Sequence, residues 1–169
     1  MDVFKAVQTV LAVRSYKREV LPPETVRKIL EAGRLSASSM NLQPWHFIAV
    51  ENRGDLQALG EMAKTGPYIA EAGLAVAVAI EPSKYAESDA SRAIQSMILT
   101  AWEEGIGSNW VGFYNLDDAK VHLGIPDELE LLAIVPFGYS EEVSLKGEKK
   151  RKPFDEVIHK GRFGERFGS

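Results

Sequence analysis

The sequence contains no cysteine and only three histidines. Without Cys there is no thiolate nucleophile, no CxxC redox pair, no Cys-ligated zinc and no iron–sulfur cluster. His46, His122 and His159 are far apart, and no pair has the i, i+4 spacing that sets two imidazoles on one helical face, so no metal centre is expected. There is no GxSxG elbow for a nucleophilic serine and no GxxxxGKS/T loop for a nucleoside triphosphate. No stretch approaches the roughly 18 apolar residues of a membrane span. The start, Met-Asp-Val-Phe-Lys, lacks the basic and then apolar order of a signal peptide, so a cytoplasmic protein with no membrane partner is expected. Nor does one sign of charge dominate. Twenty basic against 24 acidic residues give a net charge of −4 and a pI near 5.5, the wrong sign for a dedicated nucleic-acid binder.

What is present suits one globular domain over residues 1–169: 45% of the residues are hydrophobic and 26% charged. A chain of this length buries about 70% of its unfolded surface and needs no disulfide or structural metal. Val3, Phe4, Val7, Val10 and Leu11 have helical spacing behind Asp2 as N-cap. Pro22-Pro23-Glu24 opens a second helix containing Val26, Ile29 and Leu30. Residues 45–50 (WHFIAV) read as a strand, Asn52-Arg53-Gly54 as a turn, and 55–63 as a short helix. The unbroken apolar run 74–80 predicts a central strand covered on both faces. The longest helix is expected over 89–105, capped by Asp89 or Ser91 and stopped by Gly105. Strands at 109–113 and 131–135, a helix at 117–123 and a last helical turn near 154–159 complete an α+β pattern.

Two basic segments stand at opposite ends of the chain, Arg14, Ser15 and Lys17 against Lys149 and Arg151. If they converge, the guanidinium fork, the ammonium charge and the hydroxyl can cradle a phosphomonoester. Taken alone, the 146–152 run reads as a solvated surface. Ser38, Ser39, Asn41 and Gln43 offer groups that both donate and accept, as a heteroaromatic ring edge requires, and they equally suit a helix C-cap and turn. The glycines at 105, 107 and 112 follow a helix and precede a strand, the reverse of a dinucleotide-binding turn. Gly107 is expected to relieve crowding at the strand start.

Taken together these segments resemble the nitroreductase family of FMN-dependent oxidoreductases. The resemblance rests on Arg14-Ser15-Tyr16-Lys17, Ser38-Ser39-Met40-Asn41-Leu42-Gln43-Pro44-Trp45, Ala93-Ile94-Gln95-Ser96-Met97, the 105–112 segment, Phe137-Gly138-Tyr139 and Lys149-Lys150-Arg151-Lys152-Pro153. It implies an α+β sandwich with a central, mostly antiparallel sheet flanked by helices, forming an intertwined homodimer with FMN at the subunit interface. It also implies that Val13, Arg14, Ser15 and Lys17 with Lys149 and Arg151 hold the FMN phosphate. Ser38, Ser39 and Asn41 would reach the flavin from the partner subunit, and Trp110, Val111 and Gly112 would lie along the ring near N5. Val13 stands where the family often has a second arginine, and Ala37 where proline is common, so a lowered FMN affinity is expected. The implied reaction is ping-pong transfer from NAD(P)H to a nitroaromatic, quinone or flavin-type acceptor, with no catalytic side chain because the flavin carries the chemistry. The alternatives are a specialised flavin enzyme of the same fold, acting in reductive dehalogenation or flavin fragmentation, and a non-catalytic flavin-binding protein.

Overall fold

A computed structural model describes residues 2–112, 114–142 and 149–168. Helix α1 (Val3–Thr9) begins at Asp2, whose carboxylate accepts from the Lys5 N–H at 2.8 Å. Helix α2 (Pro23–Arg34) has proline in its first turn, where a missing N–H costs nothing. Strand β1 (Trp45–Val50) leads into α3 (Arg53–Met62). The expected turn at 52–54 is the start of this helix, because the Asn52 side chain accepts from the N–H groups of Gly54 and Asp55 at 2.8 and 3.2 Å. A 3₁₀ turn (Pro67–Glu71) precedes β2 (Leu74–Ile80). The 18-residue helix α4 (Ala86–Glu103) starts three residues before the expected cap, with Tyr85 at the N-cap position and Asp89 inside the helix. Then come β3 (Gly107–Ser108), α5 (Asp117–His122), β4 (Glu130–Gly138) and α6 (Phe154–Val157).

The strands form one sheet in the order β1-β2-β4-β3, and every pairing between them is antiparallel. All seven residues of β2 are buried, as its unbroken apolar run requires. Its alternation divides the core. Leu74, Val76, Val78 and Ile80 pack with Val26, Ile29, Ile94 and Met97 of α2 and α4. Ala75, Ala77 and Ala79 pack with Leu56 and Leu59 of α3 and Ala119 of α5. A register shift at Val78/Ala79 sends the adjacent residues Leu132 and Ala133 to the same face.

Local propensity fails in two places. Where a strand is expected at 109–113, the described residues form only a single bridge between Val111 and Ile134, with β3 just before them and Phe113 outside the described residues. Helix α1 is apolar, yet only Ala6 is buried, while Val3 and Phe4 are 76% and 68% exposed. Phe154, Val157, Phe163 and Phe167 near the other end are likewise exposed. Amphipathic patterning has produced apolar surface that this chain does not cover.

Candidate functional site

The segment after α1 runs along the β3 edge of the sheet. Ala12 bridges Ser108, the Val13 N–H donates to the Ser108 carbonyl at 2.9 Å, and the Lys17 N–H donates to the Tyr139 carbonyl at 2.9 Å. Val13 and Tyr16 point inward and are buried; Arg14 and Lys17 point outward. The Tyr16 hydroxyl donates to the Val13 carbonyl at 2.7 Å. Burial, then the neighbouring Tyr68, pushes the Tyr16 phenol far above its usual range. Among the described residues Arg14 and Lys17 make no ion pair, so two exposed cations stand on a tethered strip of backbone.

Val13 is held in place by packing. A Cβ on Gly107 would lie 2.3 Å from Val13 Cγ2, so the valine occupies the space that the glycine leaves. Both polar backbone groups of Val13 are already bonded, and its side chain is 2% exposed. Val13 thus offers no free polar group and fixes the backbone next to Arg14.

Two cavities adjoin along this strip and share Leu11 and Ala12. One, of about 300 Å³, is lined by Val13, Arg14, Ser15, Ser140 and Glu142. The other, of about 320 Å³, is lined by Gln95, Ile98, Asn109, Trp110, Lys149 and Arg151 among others. The fold thus brings Arg14 and Ser15 to one cavity of this groove and Lys149 and Arg151 to the cavity adjoining it, while Lys17 lines neither. The Lys149 ammonium donates to the Val7 carbonyl. Burial, then the charge of Arg151, holds it below the usual lysine range. Lys146, part of the same basic run, lies outside the described residues.

Several groove residues had no separate signal in the sequence. The Ser15 hydroxyl donates to the Glu141 carboxylate, and the Glu141 N–H donates to the Ser15 carbonyl at 3.2 Å. With Glu142 on the wall, two carboxylates stand at the Arg14–Ser15 cavity. Asn109, whose amide donates to the Tyr68 hydroxyl, lies within the 105–112 motif, but its type alone did not mark it as a lining residue.

Trp110, Val111 and Gly112 diverge. Trp110 lines the basic groove. Val111 is 1% exposed, and its N–H and carbonyl exchange hydrogen bonds with Ile134 at 3.0 and 2.8 Å, so its side chain belongs to the core. Gly112 opens onto a different cavity of about 790 Å³, beside Tyr114, Lys120 and Glu130. A Cβ there would lie 2.7 Å from the Leu132 carbonyl oxygen and 2.8 Å from the Trp110 indole nitrogen, which leaves room for glycine alone.

Ser38, Ser39 and Asn41 stand apart from both cavities of the groove, beside the N-terminal turn of α4. The Ser38 hydroxyl accepts from the Gln43 N–H at 2.9 Å, and both donors of Ser39 go to Asp89. The histidines also stay apart. His46 pairs with Glu81 at 3.1 Å and His122 with Asp55 at 3.0 Å, and no metal-ligand cluster occurs among the described residues.

An antiparallel sheet between two helical layers, with a basic groove on its β3 edge, defines an α+β protein of the nitroreductase fold. The model of the nitroreductase family matches residues 11–86 and 76–139. A Methanothermobacter thermautotrophicus protein described as an NADH dehydrogenase/NAD(P)H nitroreductase is 32% identical over 151 residues, 84% of this chain and 79% of that one. The solved structure of a protein so described from Parabacteroides distasonis has a TM-score of 0.85 at 26% identity, covering 95% of this chain and 98% of that one. A Bacteroides fragilis nitroreductase solved with bound FMN has a TM-score of 0.80 at 29% identity, covering 95% and 100%. The chain belongs to the nitroreductase family.

Proposed function

We propose that this protein is an FMN-dependent NAD(P)H oxidoreductase that works as a homodimer. The observation that carries the reading is that Arg14 and Ser15 line one cavity and that Lys149 and Arg151, with Asn109 and Trp110, line the cavity adjoining it. A flavin mononucleotide carries one terminal phosphate and one flat ring, and the adjoining cavities offer the Arg14 cation in one and the Trp110 indole beside Lys149 and Arg151 in the other. The resemblance to an FMN-bound nitroreductase supports the same assignment. When bound, FMN supplies a two-electron relay that takes hydride from NAD(P)H and passes it to a second substrate after the nicotinamide has left. The chain's own residues supply position and charge. Arg14, Lys17, Lys149 and Arg151 neutralise the phosphate, the buried Tyr16 and Val13 hold Arg14 in place, and Trp110 packs along the ring.

The homodimer is supported by the uncovered apolar residues of α1 and of the 154–167 segment. It is supported as well by the distance of the 38–41 loop from the groove of its own chain, since only a second copy can bring that loop to the flavin. The whole chain then acts as one domain in the cytoplasm; among the described residues no helix is long and apolar enough to cross a membrane. The acceptor class is a nitroaromatic, quinone or free flavin. The test is an absorbance spectrum of the purified protein with one equivalent of FMN, before and after anaerobic NADH or NADPH. Flavin bands that shift on binding and bleach with the nicotinamide are expected. Bands that persist with both donors, or no uptake of FMN, refute the reading.

A further inference from the structure

Asp89 is 0% exposed, and the reaction outlined above gives it no task. It is the fourth residue of α4, its own N–H lies in the helix ladder, donating to the Tyr85 carbonyl at 2.9 Å, and its carboxylate is turned away from the helix. One oxygen accepts from the Ser39 N–H at 3.0 Å; the other accepts from the Ser39 hydroxyl at 3.0 Å and from the Arg92 guanidinium at 2.8 Å. A carboxylate is tolerated in the interior only with such a full set of donors, so removing them or it disturbs whatever it holds.

What it holds is an unusual loop. Met40, Asn41 and Gln43 have φ of 54°, 57° and 51°, and none is glycine. Left-handed backbone is disfavoured for L side chains, least for Asn, and three such residues within four positions persist only where surrounding contacts enforce them. Ser39 supplies the enforcing contact: both its donors are spent on Asp89. The Asn41 side chain is exposed and makes no hydrogen bond among the described residues, and the Ser38 hydroxyl, which accepts from Gln43, keeps its own proton to donate.

We infer that Asp89 is the positioning residue of the 38–43 loop, acting through Ser39 to hold the left-handed turn that presents Ser38 and Asn41 to the ring edge of a flavin bound across the subunit interface. The inference rests on the flavin reading above. It also divides the two serines: Ser38 faces the ligand, and Ser39 is the fastener beneath it.

The test compares FMN with riboflavin, which has the same ring and no phosphate, by equilibrium fluorescence titration of the wild type, Asp89→Asn, Ser39→Ala and Arg14→Ala. Each apo-protein is checked for folding and native mass. A loop that contacts only the ring edge predicts that Asp89→Asn weakens both flavins by the same factor, about tenfold, the size of one lost hydrogen bond. Arg14→Ala should weaken FMN alone. Ser39→Ala removes the hydroxyl's bond to Asp89 at 3.0 Å and the one it accepts from Arg92 at 3.5 Å but no buried charge, so it gives the equal loss on both flavins even if Asp89→Asn fails to fold. A merely structural role lowers thermal stability and leaves the affinities of folded protein unchanged. Wild-type affinity for both flavins in folded Asp89→Asn or in Ser39→Ala, beside an FMN-specific loss in Arg14→Ala, overturns the inference and leaves the flavin reading standing. A wild type that binds neither flavin overturns both.

Discussion

The contact between Gly107 and Val13 ties the stability of the sheet edge to the placement of Arg14, proposed above to bind the flavin phosphate, and Gly107→Ala tests that link. The new methyl would lie 2.3 Å from Val13 Cγ2, 3.0 Å from Cγ1 and 2.7 Å from Cβ. Carbon atoms pack at about 3.5–4.0 Å, so Val13 must retreat by more than about 1 Å. Rotating the valine relieves the Cγ contacts and leaves the Cβ contact. Moving its backbone strains two bonds, Val13 N–H to the Ser108 carbonyl at 2.9 Å and Tyr16 hydroxyl to the Val13 carbonyl at 2.7 Å. The cost falls in the upper part of the overpacking range, about 2–3 kcal/mol. For a chain of this size that lowers Tm by about 4–12 °C. Because the displaced strip carries Arg14, FMN affinity falls as well. Val13→Ala removes both Cγ atoms, so in the double variant the losses are less than additive by at least about 0.5 kcal/mol. Urea unfolding of the four proteins measures this. A Gly107→Ala protein as stable as the wild type, or losses that simply add, refutes the packing argument.

Three other outcomes follow from the groove and its anchors. Arg14→Ala should weaken FMN binding by about 1.5–3 kcal/mol, the range for a hydrogen bond to a charged group, with native mass unchanged; unchanged affinity in a titration places the phosphate elsewhere. Glu141→Gln should raise FMN affinity several-fold, because it takes a negative charge from the cradle and weakens the acceptor that holds the Ser15 hydroxyl, and an affinity equal to or below wild type in the same titration contradicts this. The Tyr16 phenol ionises in the unfolded chain near pH 10 but far higher when folded, so its contribution to stability is complete below pH 10 and declines as pH rises beyond it. Tyr16→Phe, less stable at neutral pH, should lose less stability than the wild type between pH 9 and pH 11 on urea unfolding at each pH, and parallel curves would show that Tyr16 does not titrate in this way.

Much of the fold is written in short-range chemistry. The run 74–80 declared a strand covered on both faces because all seven residues are apolar, and it is the buried second strand of the sheet. Asp2 and Pro22-Pro23 marked helix starts through properties of one or two residues, and those starts stand where they were expected. The crowding at Gly107 was also foreseen, though not its partner.

The misreadings occur where one residue type serves two ends. Asp89 has the chemistry of a helix cap, and a cap was expected; it accepts instead from Ser39, 50 residues earlier, a choice set by how α4 packs against the loop. Asn52 looked like a turn residue and is a cap. The 109–113 segment was expected to be a strand, and among its described residues only Val111 pairs, because pairing depends on the neighbour that β4 presents.

The site divides along the same line. Its residue types, the Arg-Ser-Tyr-Lys and Ser-Ser-Met-Asn runs and the basic end, stand in the sequence and named the family before any coordinates. Their arrangement does not. That Arg14 and Lys149 line adjoining cavities, that Trp110 and Gly112 face different cavities, and that Ser39 is tied to a buried carboxylate all depend on contacts between segments far apart in the chain. Helix period, strand alternation and capping act within a few residues and are legible in the sequence. Sheet register and the fit of helix on sheet are decided only when the whole core packs, and they determine which polar groups meet.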